Sequence, residues 1–298
     1  MTLPLSDTLV TYPAGDVTGA ATVLHVENLA DGRHAVLLDT TCVHPVDAGW
    51  PDQGPDRASV RVGDADYPVV DCIVGATDGS ALFVGRDIPV GKGTDGWAFV
   101  AVHVLNADAP IGEGDSVELI VDAGYRERLS AGHTACHLAS LALNRAVADR
   151  WKKEVRLDAL GSPDFDGTAI DVSLIIENGS VDTYRLGKSL RKKGFVTEGI
   201  AEALPALEAA ISATLAEWAT TDAAVQIERD GERLTDRRSW VCALPEQTVR
   251  IPCGGTHAES VAALGQLRVA LSLADVEGTP VLTMETFASP NGRGADEL

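Results

Sequence analysis

SVELIVDAG (116–124) followed by ERLSAGHTACHLASLALNRAVADRWKK (127–153) is the stretch in which the hydropathy pattern changes period, and it sets the fold class. Apolar residues alternate with polar ones through Val121 in the manner of a half-buried strand. From 127 onward Leu138, Leu141, Ala142, Ala146 and Trp151 recur at spacings that place them largely on one face of a helix. Upstream the pattern is entirely strand-like. TVLHV (22–26), HAVLLDTTCVH (34–44), VRVGDADYPVVDCIVG (60–75), ALFVG (81–85) and WAFVAVHVL (97–105) are punctuated at short intervals by Gly, Pro, Asp and Asn. Downstream, strand and helix patterns mix: IDVSLII (170–176), a second amphipathic helix ALPALEAAISATLAEWA (203–219), then AAVQIER (223–229), TVRIPC (248–253) and QLRVALSLADV (266–276).

The expectation is an α+β protein whose small N-terminal β-barrel domain is followed by an α+β domain. The boundaries fall at 1–108 for the barrel, 109–288 for the second domain and 289–298 for a frayed tail, SPNGRGADEL. One barrel connection, HPVDAGWPDQGPDR (44–57), holds Pro45, Pro51 and Pro55 with Gly49 and Gly54; it is too rich in breakers for helix or strand and reads as a shaped loop.

Composition excludes several classes. The 298 residues carry 24 Lys+Arg against 44 Asp+Glu, a formal charge of −20, which disfavours generic binding to DNA, RNA or anionic membrane. No apolar run approaches the length of a spanning helix. The start, MTLPLSDTLV, lacks the basic-then-apolar pattern of an export signal, so a cytoplasmic protein is expected. Five widely spaced cysteines (42, 72, 136, 242, 253) make a poor disulfide framework and read as reduced.

Histidine placement is the most informative feature. His133 and His137 lie four apart on the expected helix, which puts both imidazoles on one face and within reach of one metal ion. CGGTH supplies a second pair with the same separation, Cys253 and His257. Either pair alone is a weak signal; together they form a tetrahedral N/S donor set suited to Zn2+. His25, His34, His44 and His103 sit in strand or loop contexts and read as ordinary.

HTACHLASLALNRA (133–146) and CGGTHAES (253–260) resemble the metal-binding helix and the CGGTH element of the alanyl-tRNA synthetase editing domain and of the free-standing AlaX-type trans-editing proteins. Threonyl-tRNA synthetases carry a related editing domain. VDAGYRERLSAGH (121–133) is similar to the family's Asp-x-x-x-Arg run, GSPDFDGTAIDVS (161–173) to its Gly-Ser and hydrophobic-Asp strand, and LDTTCVHPVDAGWP (38–51) to a degraded form of its β-domain loop. The resemblance spans about residues 34–275 and implies an editing-type second domain with zinc held between a helix and a strand or loop. It implies hydrolysis, in trans, of the ester joining a wrong amino acid to the 3′ end of tRNA. Four protein donors leave open whether zinc loses a ligand, expands its coordination or only orients the substrate.

Departures from the family pattern bear on the substrate. The loop's Gly-Gly-Gly-Gln is replaced by Asp47-Ala48-Gly49-Trp50, so Asp47, with Thr41 nearby and Cys136 ahead of the second helical histidine, are the candidates for the substrate pocket. The expected amino acids are small or β-hydroxylated: seryl, glycyl or threonine-like, including fluorothreonine, since fluorothreonyl-tRNA deacylases resemble this family. RLGKSLRKK (185–193) supplies Lys188, Arg191, Lys192 and Lys193 as candidate contacts to the acceptor stem. A second basic cluster comprises Arg145, Arg150, Lys152, Lys153 and Arg156. Two rival readings are a zinc hydrolase of the same fold acting on a small or carrier-bound amino-acid ester or amide, and a non-catalytic module with structural zinc.

Overall fold

The structure, a computed structural model, describes residues 3–290. Contacts divide the chain into two compact units. The first takes the residues up to Arg126 with Ile227–Arg238 and Gly254–Thr256; the second takes Glu127–Gln226, Ser239–Cys253 and the residues from His257 onward.

The first unit contains β1 (Leu9–Val10), β2 (Thr18–Asn28), β3 (His34–Leu38), β4 (Thr40–Thr41), β5 (Ala58–Val62), β6 (Ala65–Thr77), β7 (Leu82–Val84), β8 (Ala98–Leu105) and β9 (Ser116–Val121). Its main sheet runs β5-β9-β2-β3-β8-β6-β7, and β5 also pairs with β6, so six strands form a ring from which β7 extends. The length of β6 makes closure possible. Its first residues pair with β5 (Ala58↔Val69), its later ones with β8 (Gly75↔Val100), and a register shift between Val69 and Asp71 lies where the strand changes partners. Gly63, at φ 61°, makes the two-residue turn of the β5–β6 hairpin, a conformation that glycine adopts without a Cβ penalty. Val36, Leu38, Val60, Ala101, Leu105 and Leu119 form part of the buried core. Strands β3 and β8 also bury their other face through Ala35, Leu37, Val100, Val102 and Val104, which is why both read as unbroken apolar runs rather than alternations.

The expected domain boundary at 108/109 falls before β9, whereas β9 pairs with both β2 and β5, so the first compact unit runs through Arg126 and adds two later segments. The loop 44–57 contains no helix or named strand, as its composition requires, and is fixed by specific contacts within the unit. Arg126 Nε donates to Asp56 Oδ1 at 2.6 Å, its Nη2 reaches both Asp56 Oδ2 and the Cys42 carbonyl, and both partners of this ion pair are buried. Gln53 Nε2 donates to Thr256 Oγ1 at 3.0 Å while Gln53 Oε1 accepts the Thr256 N–H at 3.1 Å.

The rest of the chain forms α1 (Ala123–Ala146), α2 (Asp166–Ala169), β10 (Ile170–Ile176), β11 (Gly179–Arg185), α3 (Lys188–Lys192), α4 (Ile200–Ala219), β12 (Val225–Arg229), β13 (Arg238–Ala243), β14 (Thr248–Pro252), β15 (Gln266–Val276) and β16 (Thr279–Ser289). The antiparallel sheet β10-β11-β16-β15 carries α4 against β15, and a three-stranded sheet runs β12-β13-β14. The chain is thus α+β.

Helix α1 starts four residues earlier than expected because the Asp122 side chain accepts the Tyr125 N–H at 2.9 Å and caps its first turn. It ends at Ala146 rather than 153: after a short 3-10 turn, Trp151 bridges Phe195 and Lys152 N–H donates to the Gly194 carbonyl. Gly132 lies where α1 crosses the β10–β11 turn. A Cβ there would run into the carbonyls of Ile176 and Gly179, so the residue before His133 must be glycine for the helix to seat this closely. Of the expected tail 289–298, Ser289 is the last residue of β16 and pairs with Gln266; residues 291–298 lie outside the described part. No helix among the described residues is long and apolar enough to cross a membrane, and the cysteines form no disulfide with one another.

Candidate metal centre

The second unit brings together the four residues singled out by spacing. His133 and His137 come from adjacent turns of α1, and Cys253 and His257 flank the Gly-Gly-Thr that follows β14. One ligand atom from each lies within 4.8 Å of all the others, so the group could hold a metal ion. Cys253 Sγ is 3.4 Å from His133 Nε2 and 3.3 Å from His257 Nε2. A tetrahedral ion with bonds of about 2.0 Å to nitrogen and about 2.3 Å to sulfur separates such donors by about 3.5 Å, so these spacings match the edges of a tetrahedron.

His137 supplies the test of fit. Its Nε2 is buried and has no hydrogen-bond partner, a costly arrangement for a polar atom unless something outside the polypeptide satisfies it. Burial also pushes its pKa down to about 4, so the ring is neutral at neutral pH and its nitrogen lone pair is available to a metal. The three rings pack closely, with centroids of His133 and His257 4.4 Å apart and of His137 and His257 5.2 Å apart, and Trp240 lies beside His137 at 5.0 Å. His133 is buried and His137, Cys253 and His257 are half-buried.

The remaining candidates are placed as follows. Cys136 shares α1 with His133 and His137 but its thiol turns to Asp182, 3.6 Å from both carboxylate oxygens. Ser173 and Ser180 donate to the same carboxylate at 2.6 and 2.7 Å. Burial raises the pKa of Asp182, while the serine and cysteine hydrogen bonds oppose the rise. Neighbouring Asp166, which accepts the Tyr184 hydroxyl at 2.9 Å, is pushed by burial up to about 7. Sequence reasoning missed Asp182, Ser173 and Ser180.

Thr41 and Asp47 belong to the first unit. Thr41 is fully buried. Its hydroxyl lies 2.9 Å from His103 Nε2 and accepts the Val43 N–H at 3.0 Å, while His103 Nδ1 lies 3.3 Å from the Val36 carbonyl. Asp47 is more open: it pairs with Lys92 at 2.5 Å and borders a cavity of about 520 Å³ with Arg86 on its wall and Val74, Ile88 and Phe99 beneath.

Lys188, Arg191, Lys192 and Lys193 are all exposed on or just after α3, and among the described residues none forms an ion pair. The second basic cluster is largely consumed by internal contacts. Arg145 pairs with Glu246 at 2.8 Å, Arg150 donates to the Val196 and Glu198 carbonyls, Lys153 to the Lys192 carbonyl, and Arg156 pairs with Asp164. Comparison of the chain with protein-family models finds no match, and comparison with curated proteins finds no significant one.

Proposed function

We propose that this chain is a zinc-dependent aminoacyl-tRNA deacylase acting in trans in the cytoplasm, hydrolysing the ester of a mischarged tRNA that carries a small or β-hydroxy amino acid. The observation that carries this reading is the convergence of His133, His137, Cys253 and His257 from two separated sequence motifs onto one point. A set of three imidazoles and one thiolate favours zinc over the hard, oxygen-seeking cations.

When bound, zinc supplies Lewis acidity that polarises an ester carbonyl and lowers the pKa of water. His133, His137, Cys253 and His257 would hold it. Cys136 lies three residues past His133, hence on a neighbouring strip of the helix, and shares Asp182 with two serine hydroxyls. A polar lining of that kind suits the amino and hydroxyl groups of a small amino acid. The cations of α3, exposed and unpaired, suit acceptor-stem phosphates on a chain whose net charge otherwise repels nucleic acid.

The formal charge of −20 favours a second reading, a hydrolase of a small or carrier-bound amino-acid ester or amide. A closed set of four protein donors favours a third, structural zinc in a non-catalytic module. Deacylation of seryl-, glycyl-, alanyl-, threonyl- and fluorothreonyl-tRNA, with and without chelator, separates them. Chelator-sensitive release of one amino acid, lost in His133→Ala and Cys253→Ala together with the metal, supports the deacylase. Stoichiometric zinc with no release from any tRNA overturns it, and full metal content in both variants overturns the four-ligand centre.

A further inference from the structure

The hydroxyl of Thr134, on α1, reaches across to the segment that carries Cys253 and His257. Thr134 is fully buried, with no solvent to satisfy its oxygen. Its Oγ1 accepts the Ala258 N–H at 3.0 Å and lies 3.3 Å from His257 Nδ1. The other nitrogen of that ring, Nε2, is the one turned to Cys253 Sγ at 3.3 Å, and it is therefore the atom aimed at the metal position.

A neutral imidazole carries one proton. If Nε2 presents its lone pair to a metal, the proton must reside on Nδ1, and that N–H is a donor available for a hydrogen bond. The Thr134 oxygen lies within hydrogen-bond reach at 3.3 Å, and it has a lone pair left to accept this proton after the Ala258 bond is made. We infer that Thr134 is a positioning residue for the metal centre: its oxygen fixes the tautomer and the ring orientation of His257 and ties the backbone at Ala258 to α1. Outer partners of metal-ligating histidines commonly act in this way, and removing them weakens metal binding without removing a ligand.

The inference rests on the metal-centre reading given above and deepens it. It also accounts for a fully buried hydroxyl on a helix whose neighbouring Ala135 and Leu138 are fully buried apolar residues. A valine at 134 would fill the same volume and remove the oxygen that contacts both the Ala258 N–H and His257 Nδ1.

The test is competition for Zn2+ between the full-length protein and a chromogenic chelator, run on wild type, Thr134→Val and Thr134→Ser, with the visible spectrum of the Co2+-loaded forms as a second readout. The expected result is a zinc affinity about 10- to 100-fold weaker in Thr134→Val with an altered Co2+ spectrum, and affinity near wild type in Thr134→Ser. Thr134→Ala, which also removes the oxygen, serves if the valine variant does not fold. Wild-type affinity and an unchanged Co2+ spectrum in the folded variants lacking the hydroxyl would overturn the role of Thr134 while leaving the metal centre intact. Failure of the wild type itself to hold zinc or cobalt would overturn both.

Discussion

The two units handle buried carboxylates in opposite ways. In the ring unit Asp56 is buried against an equally buried guanidinium, Arg126, which reaches both of its oxygens. In the second unit Asp182 is just as inaccessible, yet its partners are two serine hydroxyls and a thiol, and its neighbour Asp166 leans on a tyrosine hydroxyl. A carboxylate held by a fixed opposite charge acts as a structural pin. One held by neutral donors keeps the option of taking up a proton, because burial disfavours its charge and nothing nearby fully offsets that. The pin lies in the ring, where it fastens the loop 44–57; the protonatable pair lies beside the helix that carries two of the candidate ligand histidines.

Breaking the pin should have the largest effect. Arg126→Met leaves Asp56 as an uncompensated buried charge and is expected to lower unfolding free energy by about 3–5 kcal/mol, read from urea denaturation. A loss below about 1 kcal/mol would show that the pair is solvated and would erase the contrast between the units.

Asp166→Asn sharpens the other side. The folded-state pKa of Asp166, about 7, stands above its ordinary 3.8, so its protonated form favours folding. That contribution is complete below the ordinary value and is lost as pH rises through about 7. The variant should therefore gain stability over wild type as pH rises from about 5 to about 8, measured as a difference in melting temperature; a constant difference across that window would place Asp166 in water.

The smallest effect is expected at Cys136. Its thiol is a weak donor to Asp182, so Cys136→Ser should change stability by less than about 1 kcal/mol. The same variant should leave metal content unchanged, because the thiol faces Asp182 rather than the four-residue group. A loss of metal in Cys136→Ser, by elemental analysis, would move this residue into the centre.

The same contrast explains what was legible in the sequence. The four metal-ligand candidates stood out because two pairs at a four-residue separation survive any uncertainty about strand register. Strands β10 and β15 could be bounded to the residue from their apolar patterns. Strand β11 could not, because its buried face is Ser180, Asp182 and Tyr184 while Val181 and Thr183 are only half-buried on the other. The buried polar cluster inverts the alternation that normally announces a strand. Strand β16 is closer to the ordinary alternation, burying Leu282, Met284 and Ala288 with Thr286 as the one polar residue on that face. The extent of the first unit was illegible for a different reason: the segments Ile227–Arg238 and Gly254–Thr256 join it through long-range pairing that no local pattern encodes.

The separation of the two ligand pairs along the chain has a consequence for assembly. His133 and Cys253 are 120 residues apart, so a metal held by all four donors acts as a clasp on a very long loop. An unfolded chain offers it two donors at a time, and drawing the second pair in costs closure entropy that rises by about 0.6 kcal/mol for each doubling of loop length. Contacts of such range form slowly. A metal held by all four would therefore close late rather than seed folding, and a newly made chain would offer all four donors only once β10 through β14 have been made between its two halves.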